Sequence, residues 1–479
     1  MDLTKIKSQF QKWDIGKIEF PKIDLSNLKL PKVKMPVLKI GDLTSKIPVV
    51  QGGMGVGISL SSLASAVSNE GGIGVIAANA IGMTEPDYFK NGIEANKRAL
   101  RREIKKARIK SGNGIIGVNI MVALNDYHEM MEVSIEEKAD ILFLGAGLPL
   151  RGIPIEKINN AGVKIVPIVS SARAARLIFS YWEKNYNRIP DGVVVEGPEA
   201  GGHLGFKYEQ LGDPEYRLEK IIPEVVETVN EIAKRNKRDI PVIAAGGIYT
   251  GDDIYKFIRL GASGVQMGTR FVATEECDAD YGFKKSFLDA GKEDVMIIKS
   301  PVGMPGRAIK NKFLVDVHSG AKKKFKCPWK CLESCGAEKA NYCISIALNN
   351  ARKGNMNNGY AFAGSNVYRV DSILTVRELI DELMLGYNNV VEKSSERIKT
   401  EFDLIKGKLI RVKDEYEKVI EQVLSQFKED YKNSMSRKSE SLKIEIRKHK
   451  EKLIALKEEF LEGFSRLSVL QNEFIAEVS

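Results

Sequence analysis

Between residues 37 and 272 one unit recurs eight times: a short run rich in β-branched residues, then a stretch with helical patterning. The candidate strands are Pro48–Gln51, Ile73–Ala77, Ile115–Met121, Ile141–Gly145, Lys164–Val169, Gly192–Glu196, Pro241–Ala245 and Gly264–Met267. Helical stretches such as Ser59–Asn69, Ala172–Glu183 and Leu218–Arg235 separate them. The strand runs are apolar throughout rather than alternating. Such strands must be buried on both faces, which means a parallel sheet covered by helices. Eight such units predict an α/β chain built as a closed (β/α)8 TIM barrel. The rival, an open dinucleotide-binding sheet, needs G-x-G-x-x-G after its first strand and an acid ending its second. Here the first loop reads Gly52-Gly53-Met54-Gly55-Val56-Gly57, and the second strand ends Ala77-Ala78-Asn79. Both requirements fail.

Three segments flank the barrel at 37–272. Residues 1–36 echo themselves weakly at Phe20 and Leu30, each followed by Pro-Lys, and Pro21, Pro31 and Pro36 punctuate the run. Proline breaks helices and blocks central ladder pairing, so this reads as an extended N-terminal arm. Residues 273–390 read as a mostly helical cap with long loops, Pro301–Arg307 and Asn355–Gly364 among them, able to close over the barrel mouth. In the tail, 391–479, apolar residues recur at Ile398, Phe402, Ile405, Leu409, Val412, Tyr416, Val419 and Val423, in alternating steps of four and three. That is a heptad seam. A second phase follows Ser434–Ser441, with Leu442, Ile446, Leu453, Leu456, Phe460, Leu467, Leu470 and Phe474. A helical hairpin and one interrupted coiled coil both fit. Self-association through these helices would give a homo-oligomer.

Composition excludes several classes. With 43% hydrophobic residues in 479, the chain is not globally disordered. No run of about 18 apolar residues occurs, so no membrane partner is expected. The segment MDLTKIKSQFQKWD lacks the apolar core of a secretory signal, and five cysteines form no obvious even framework. A cytoplasmic location is expected. The charge of +10 gathers in residues 1–46 and in the runs Arg101–Lys110 and Lys322–Lys326. No nucleic-acid-binding motif accompanies them, so they read as solvated helix faces, with no nucleic-acid partner.

In a TIM barrel the chemistry is expected at the C-terminal ends of the strands. The first strand ends Gln51-Gly52-Gly53-Met54-Gly55, small residues that let backbone approach a flat ligand. The third ends with Asn119, which both donates and accepts. The sixth ends Glu196-Gly197-Pro198-Glu199-Ala200-Gly201-Gly202-His203, the seventh Ala245-Gly246-Gly247-Ile248, and the eighth Gln266-Met267-Gly268-Thr269-Arg270. Glycine turns after strands seven and eight, followed by a helix start, expose N–H groups to a phosphate, and Thr269 adds a hydroxyl. His203, one of four histidines, follows glycines that give it no cover. Its imidazole is expected at the mouth, where it can take a proton from a carbon acid or bond an anionic substrate. His449 falls on the second heptad seam.

VVQGGMGVG, VNIMV, EGPEAGGH, IPVIAAGGIYTGDDIYKFIRLGASGVQMGTRF and SPVGMPGRAI together resemble the nitronate monooxygenase family, over roughly Pro36 to Leu383. The resemblance implies FMN as cofactor, held at Met54, Gly55, Asn119, Glu196, Gly201, Gly202, Gly246, Gly247, Gln266, Met267, Gly268 and Thr269. It implies His203 as the catalytic residue. Glu196 stands where many members have Gln, and Glu also occurs in the flavin-dependent enoyl-acyl-carrier-protein reductase branch. The implied reaction is oxidation of alkyl nitronates or nitroalkanes with O2 to a carbonyl compound and nitrite. The alternatives are the NAD(P)H-dependent enoyl-thioester reductase, whose acidic carrier Arg101–Lys110 would meet, and a flavin-binding scaffold assembling through its coiled coil.

Four cysteines remain, Cys327, Cys331, Cys335 and Cys343, spaced C-x3-C-x3-C-x7-C. On a helix the first three would share one face. Metal ligation and buried free thiols both fit this spacing. Cys277, flanked by acids, is expected to be unreactive.

Overall fold

The computed structural model describes residues 18–31, 35–327, 330–332, 335–336, 338, 340–433 and 440–478. The expectations placed on the first seventeen residues and on most of Ser434–Ser441 lie outside these. The chain divides into two compact units, Met35–Asn388 and the pair Met1–Lys34 with Asn389–Ser479.

The first unit opens with a hairpin, β1 (Leu38–Ile40) and β2 (Leu43–Ser45). Eight parallel strands follow: β3 (Val49–Gln51), β4 (Gly74–Ala77), β5 (Ile116–Met121), β6 (Ile141–Gly145), β7 (Lys164–Val169), β8 (Val193–Glu196), β10 (Val242–Ala245) and β11 (Gly264–Met267). The two-residue strand β9 (Gly202–His203) interrupts the count. The sheet runs β3-β11-β10-β8-β7-β6-β5-β4, and the parallel bridge Val50–Ile73 closes it. Gln51, fully buried, reinforces that closure: its Oε1 accepts from the Val75 N–H at 2.9 Å. This is the (β/α)8 TIM barrel that the alternation predicts. Leu38 and Ile40 share one buried cluster with Val50, Val75, Phe143, Val166, Val194 and Ile243. Leu38 also lies where a Cβ on Gly264, the first residue of β11, would touch it at 3.1 Å, so the hairpin fills the N-terminal end of the barrel.

The cap is mostly helical, as expected, with one β-hairpin that the sequence reading did not anticipate. It carries helices Tyr281–Leu288, Lys312–His318 and Ile344–Arg352, but also β12 (Val295–Lys299) and β13 (Pro305–Ile309). The stretch read as a loop, Pro301–Arg307, is a hairpin turn and the start of β13. Gly303 adopts φ +86° and donates to Ser300 O at 2.9 Å, while Ser300 N–H donates to Met304 O at 3.0 Å. Pro301 and two glycines masked a hairpin whose arms are only five residues long. β13 then pairs antiparallel with β9, setting His203 opposite Gly306.

In the other unit, the helices Val376–Asn433 (from Asn389 onward) and Glu440–Val478 join their two seams in one buried cluster. Lys452–Glu415 at 2.7 Å and Arg466–Glu401 at 2.7 Å cross between them. Leu25 is buried in the same cluster, and the Phe20 ring lies 4.5 Å from that of Phe460. The arm thus covers the helices' apolar stripe. His449 is not in the buried seam; its Nδ1 meets Glu445 O one turn earlier at 2.8 Å.

Candidate active site at the barrel mouth

The strand ends converge on one cleft with two lobes. The first, a cavity of about 240 Å³, is walled by Met54, Gly55, Glu196, Gly201, Gly202, Gly246, Gly247, Gln266, Met267, Gly268 and Thr269. The second, about 420 Å³, adds Asn119 and His203 and shares Gly55, Glu196, Gly201, Gly202 and Gln266 with the first. Every residue expected to bind a cofactor therefore faces one of the two lobes.

Local geometry explains the glycines. A Cβ on Gly53 would come within 2.3 Å of the Asn119 Cβ, so only glycine lets the β3 loop approach β5. Gly247 adopts φ +80°, a conformation glycine takes without strain. Beyond it Thr250 and Asp253 cap the helix Gly251–Arg259 reciprocally, Thr250 Oγ1 accepting from Asp253 N–H at 3.3 Å. Two further glycines leave room for a ligand. A Cβ on Gly202 would meet nothing within 4 Å, and one on Gly268 only Met54 Sδ at 3.7 Å. Side chains there would occupy the cavity.

The cap completes the site with residues that sequence reasoning missed. Ser300 Oγ lies 2.7 Å from His203 Nε2 and also accepts from the Val302 N–H at 3.4 Å. The Phe362 ring sits 5.2 Å from the imidazole, roughly edge-on. Arg307, buried, donates to Pro198 O and, at 2.7 Å, to Ala200 O, fixing the loop that delivers Gly201–His203. Asn366 Nδ2 holds Gly247 O at 2.6 Å, and Gly364 N–H donates to Thr269 Oγ1 at 3.0 Å. The available signals were Ser300 and Arg307 within SPVGMPGRAI, and the stretch Asn355–Gly364, read only as a loop.

Electrostatics separate Glu196 and His203 in the cleft. Desolvation lowers the His203 pKa to about 4, so the imidazole is neutral near pH 7. The same cause pushes Glu196 up to about 7, leaving a carboxyl that can act as a hydrogen-bond donor below that pH. The cations of Arg101–Lys110 are largely engaged by carboxylates: Arg101 with Glu136 and Glu137, Arg102 with Glu85 and Glu103, Arg108 with Asp140 at 2.7 Å. Cys277 is buried, with its thiol pushed up to about 11 chiefly by desolvation.

The nitronate monooxygenase family model matches residues 38–386. The chain belongs to the nitronate monooxygenase family. That is a family of oxidoreductases, and its match spans the barrel and nearly all of the cap, leaving outside it the arm, the second long helix and the first long helix beyond residue 386. A Rhodococcus jostii protein, (3aS,4S,5R,7aS)-5-hydroxy-7a-methyl-1-oxo-octahydro-1H-indene-4-carboxyl-CoA dehydrogenase, is 27% identical over 70% of this chain and 91% of its own. A probable nitronate monooxygenase of Staphylococcus saprophyticus is 27% identical over 57% of this chain and 78% of its own. Among solved structures, FabK from Thermotoga maritima superposes with a TM-score of 0.56 at 27% identity, covering 72% of this chain and 94% of that one. Nitroalkane oxidase from Streptomyces ansochromogenes, 23% identical, shares the fold with the same TM-score over 72% of this chain and 96% of its own.

Proposed function

We propose that the protein is an FMN-dependent oxidoreductase that oxidises alkyl nitronates or nitroalkanes with O2, a nitronate monooxygenase in activity as well as family. The observation that carries this reading is His203: a desolvated, neutral imidazole tied to Ser300 at the edge of a glycine-lined cleft. The cleft suits a flavin mononucleotide. Gly202 and Gly268 leave the volume free, Met54 and Gly55 would flank the ring with Asn119, and Gly246, Gly247, Gln266, Met267, Gly268 and Thr269 would hold the phosphate side. FMN, when bound, supplies the redox chemistry, with O2 as the terminal oxidant.

The chain's own residues have two tasks. His203 accepts the α-proton of a neutral nitroalkane or orients a preformed nitronate by hydrogen bonding. An imidazole of low basicity can act here because the anion forming beside it stabilises the imidazolium. Glu196, protonated near and below pH 7, donates a hydrogen bond within the cleft rather than placing a charge there. Phe362, Leu348, Phe283 and Phe287 line the cleft from the cap and exclude water.

A second reading, reduction or oxidation of an acyl thioester with a nicotinamide partner, is favoured by the carboxyl-CoA dehydrogenase among the relatives. Anaerobic mixing separates the two. Rapid bleaching of the flavin by propyl-2-nitronate alone supports the first; bleaching by NADH or NADPH, with none by nitronate, overturns it.

A further inference from the structure

The four cysteines that the proposed chemistry does not use come together in the cap. Cys331 Sγ lies 3.6 Å from Ser345 Oγ, in the first turn of the helix Ile344–Arg352, and Cys343 is the residue immediately before that helix. Cys335 N–H donates to Leu332 O at 3.2 Å, which keeps the third cysteine within one turn of the second. Asn125 N–H anchors Cys331 O at 3.2 Å, and Leu332 forms a bridge with Leu124. Cys331 and Cys343 each lie in the electrostatic field of the other three or two thiols, and Cys327 and Cys335 act on both. None of the four is in a disulfide. Between the helices Lys312–His318 and Ile344–Arg352 the described backbone forms no further helix or strand beyond the single bridge at Leu332.

We propose that Cys327, Cys331, Cys335 and Cys343 bind an iron–sulfur cluster. Four thiolates are the usual ligand set for such a cluster. A single tetrahedral zinc would draw its sulfurs to about 3.8 Å from one another, given Zn–S bonds of about 2.3 Å. Among the described residues no three Cys, His, Asp or Glu side chains are arranged around one ion. A polynuclear cluster spans a wider set of thiols. Charge complementarity points the same way: a tetrathiolate cluster is anionic, and Lys322, Lys323, Lys324, Lys326 and Lys330 border these cysteines in the sequence. Binding would exchange thiol protons for metal. Leu332, Ile344 and Ser345 line the second lobe of the cleft, so the cluster would sit beside the active site.

The full-length protein, purified without oxygen, is expected to contain iron and acid-labile sulfide in equal amounts. If oxygen has stripped it, incubation with ferrous iron and sulfide under reducing conditions is expected to restore both. The Cys331→Ala variant should lose about tenfold or more of each, whereas Cys277→Ala keeps them. Alkylation supplies a readout independent of variant folding: the four thiols should be shielded in the loaded protein and become reactive after iron chelation. Absence of iron and sulfide after reconstitution, one zinc per chain without sulfide, or a cluster indifferent to Cys331→Ala would each overturn the assignment. Sulfide and iron assays do not depend on the flavin, so this result stands apart from the proposed activity.

Discussion

The barrel unit and the helical unit solve the same burial problem in different ways. In the helical unit, seam residues from Ile398 to Val423 find their partners in Ile446, Leu453, Phe460 and Phe474, and the arm covers more of the stripe through Phe20 and Leu25. Its apolar pattern is consumed by packing. In the barrel unit the strands are as apolar, yet the C-terminal ends of four of them carry residues that line the cleft: Asn119, Glu196, Gly201–His203, Gly246–Gly247 and Gln266–Thr269. Chemistry is concentrated where the apolar pattern stops at a strand's C-terminal end. Where the pattern ends in another seam, the sequence specifies packing.

The sharpest way to break this comparison is to damage the unit assigned to packing. Phe460 is fully buried, and Phe460→Ala should cost about 3–5 kcal/mol in the helical unit. Thermal unfolding followed by circular dichroism should show that loss, while flavin content and turnover at 25 °C stay unchanged. Loss of flavin in the folded variant would tie the helices to the site.

The converse change leaves packing intact and removes chemistry. His203→Asn should keep bound flavin and lower turnover of neutral nitroalkanes by about 10²-fold or more, with a smaller effect on preformed nitronate. Steady-state rates with both substrates test it, and equal rates in variant and parent would remove His203 from the mechanism. A third variant probes the glycine cradle. Gly268→Val puts a side chain into the cavity beside Met54, and overpacking of about 1–3 kcal/mol should weaken FMN binding about tenfold or more while leaving the fold's melting intact. Flavin titration measures this; unaltered affinity would place the ligand elsewhere.

The smallest expected effect comes from Glu196. Its folded pKa of about 7 lies above the ordinary 4.5, so between those values the native state binds the extra proton. Stability in the flavin-free protein should therefore fall as pH rises from about 4.5 through 7. Glu196→Gln should flatten that slope, read as melting temperature against pH. Parallel profiles for the two proteins would show that Glu196 is solvated and ionised.

The barrel was legible because period and length leave few choices: eight apolar runs, each too short for a helix and bounded by turn residues, specify parallel strands. The strand-end residues were legible for the same reason, since the topology sends those ends to one face. The cap was not. Ser300 and Phe362 reach His203 across 97 and 159 positions of chain, and no local pattern encodes such a contact. Arg307 ends a stretch that reads in the sequence as a loop, whereas β13 buries it against two carbonyls. The β12–β13 hairpin was hidden because its turn residues resemble those of a loop.

The central claim is that the glycine-lined cleft at the barrel mouth holds a flavin with a single terminal phosphate. Titration of the flavin-stripped, full-length protein with FMN and FAD, followed by flavin absorbance, tests it most directly. FMN should bind one per chain with a shifted visible spectrum, and FAD should bind more weakly. Protein that stays colourless with both flavins would contradict the account.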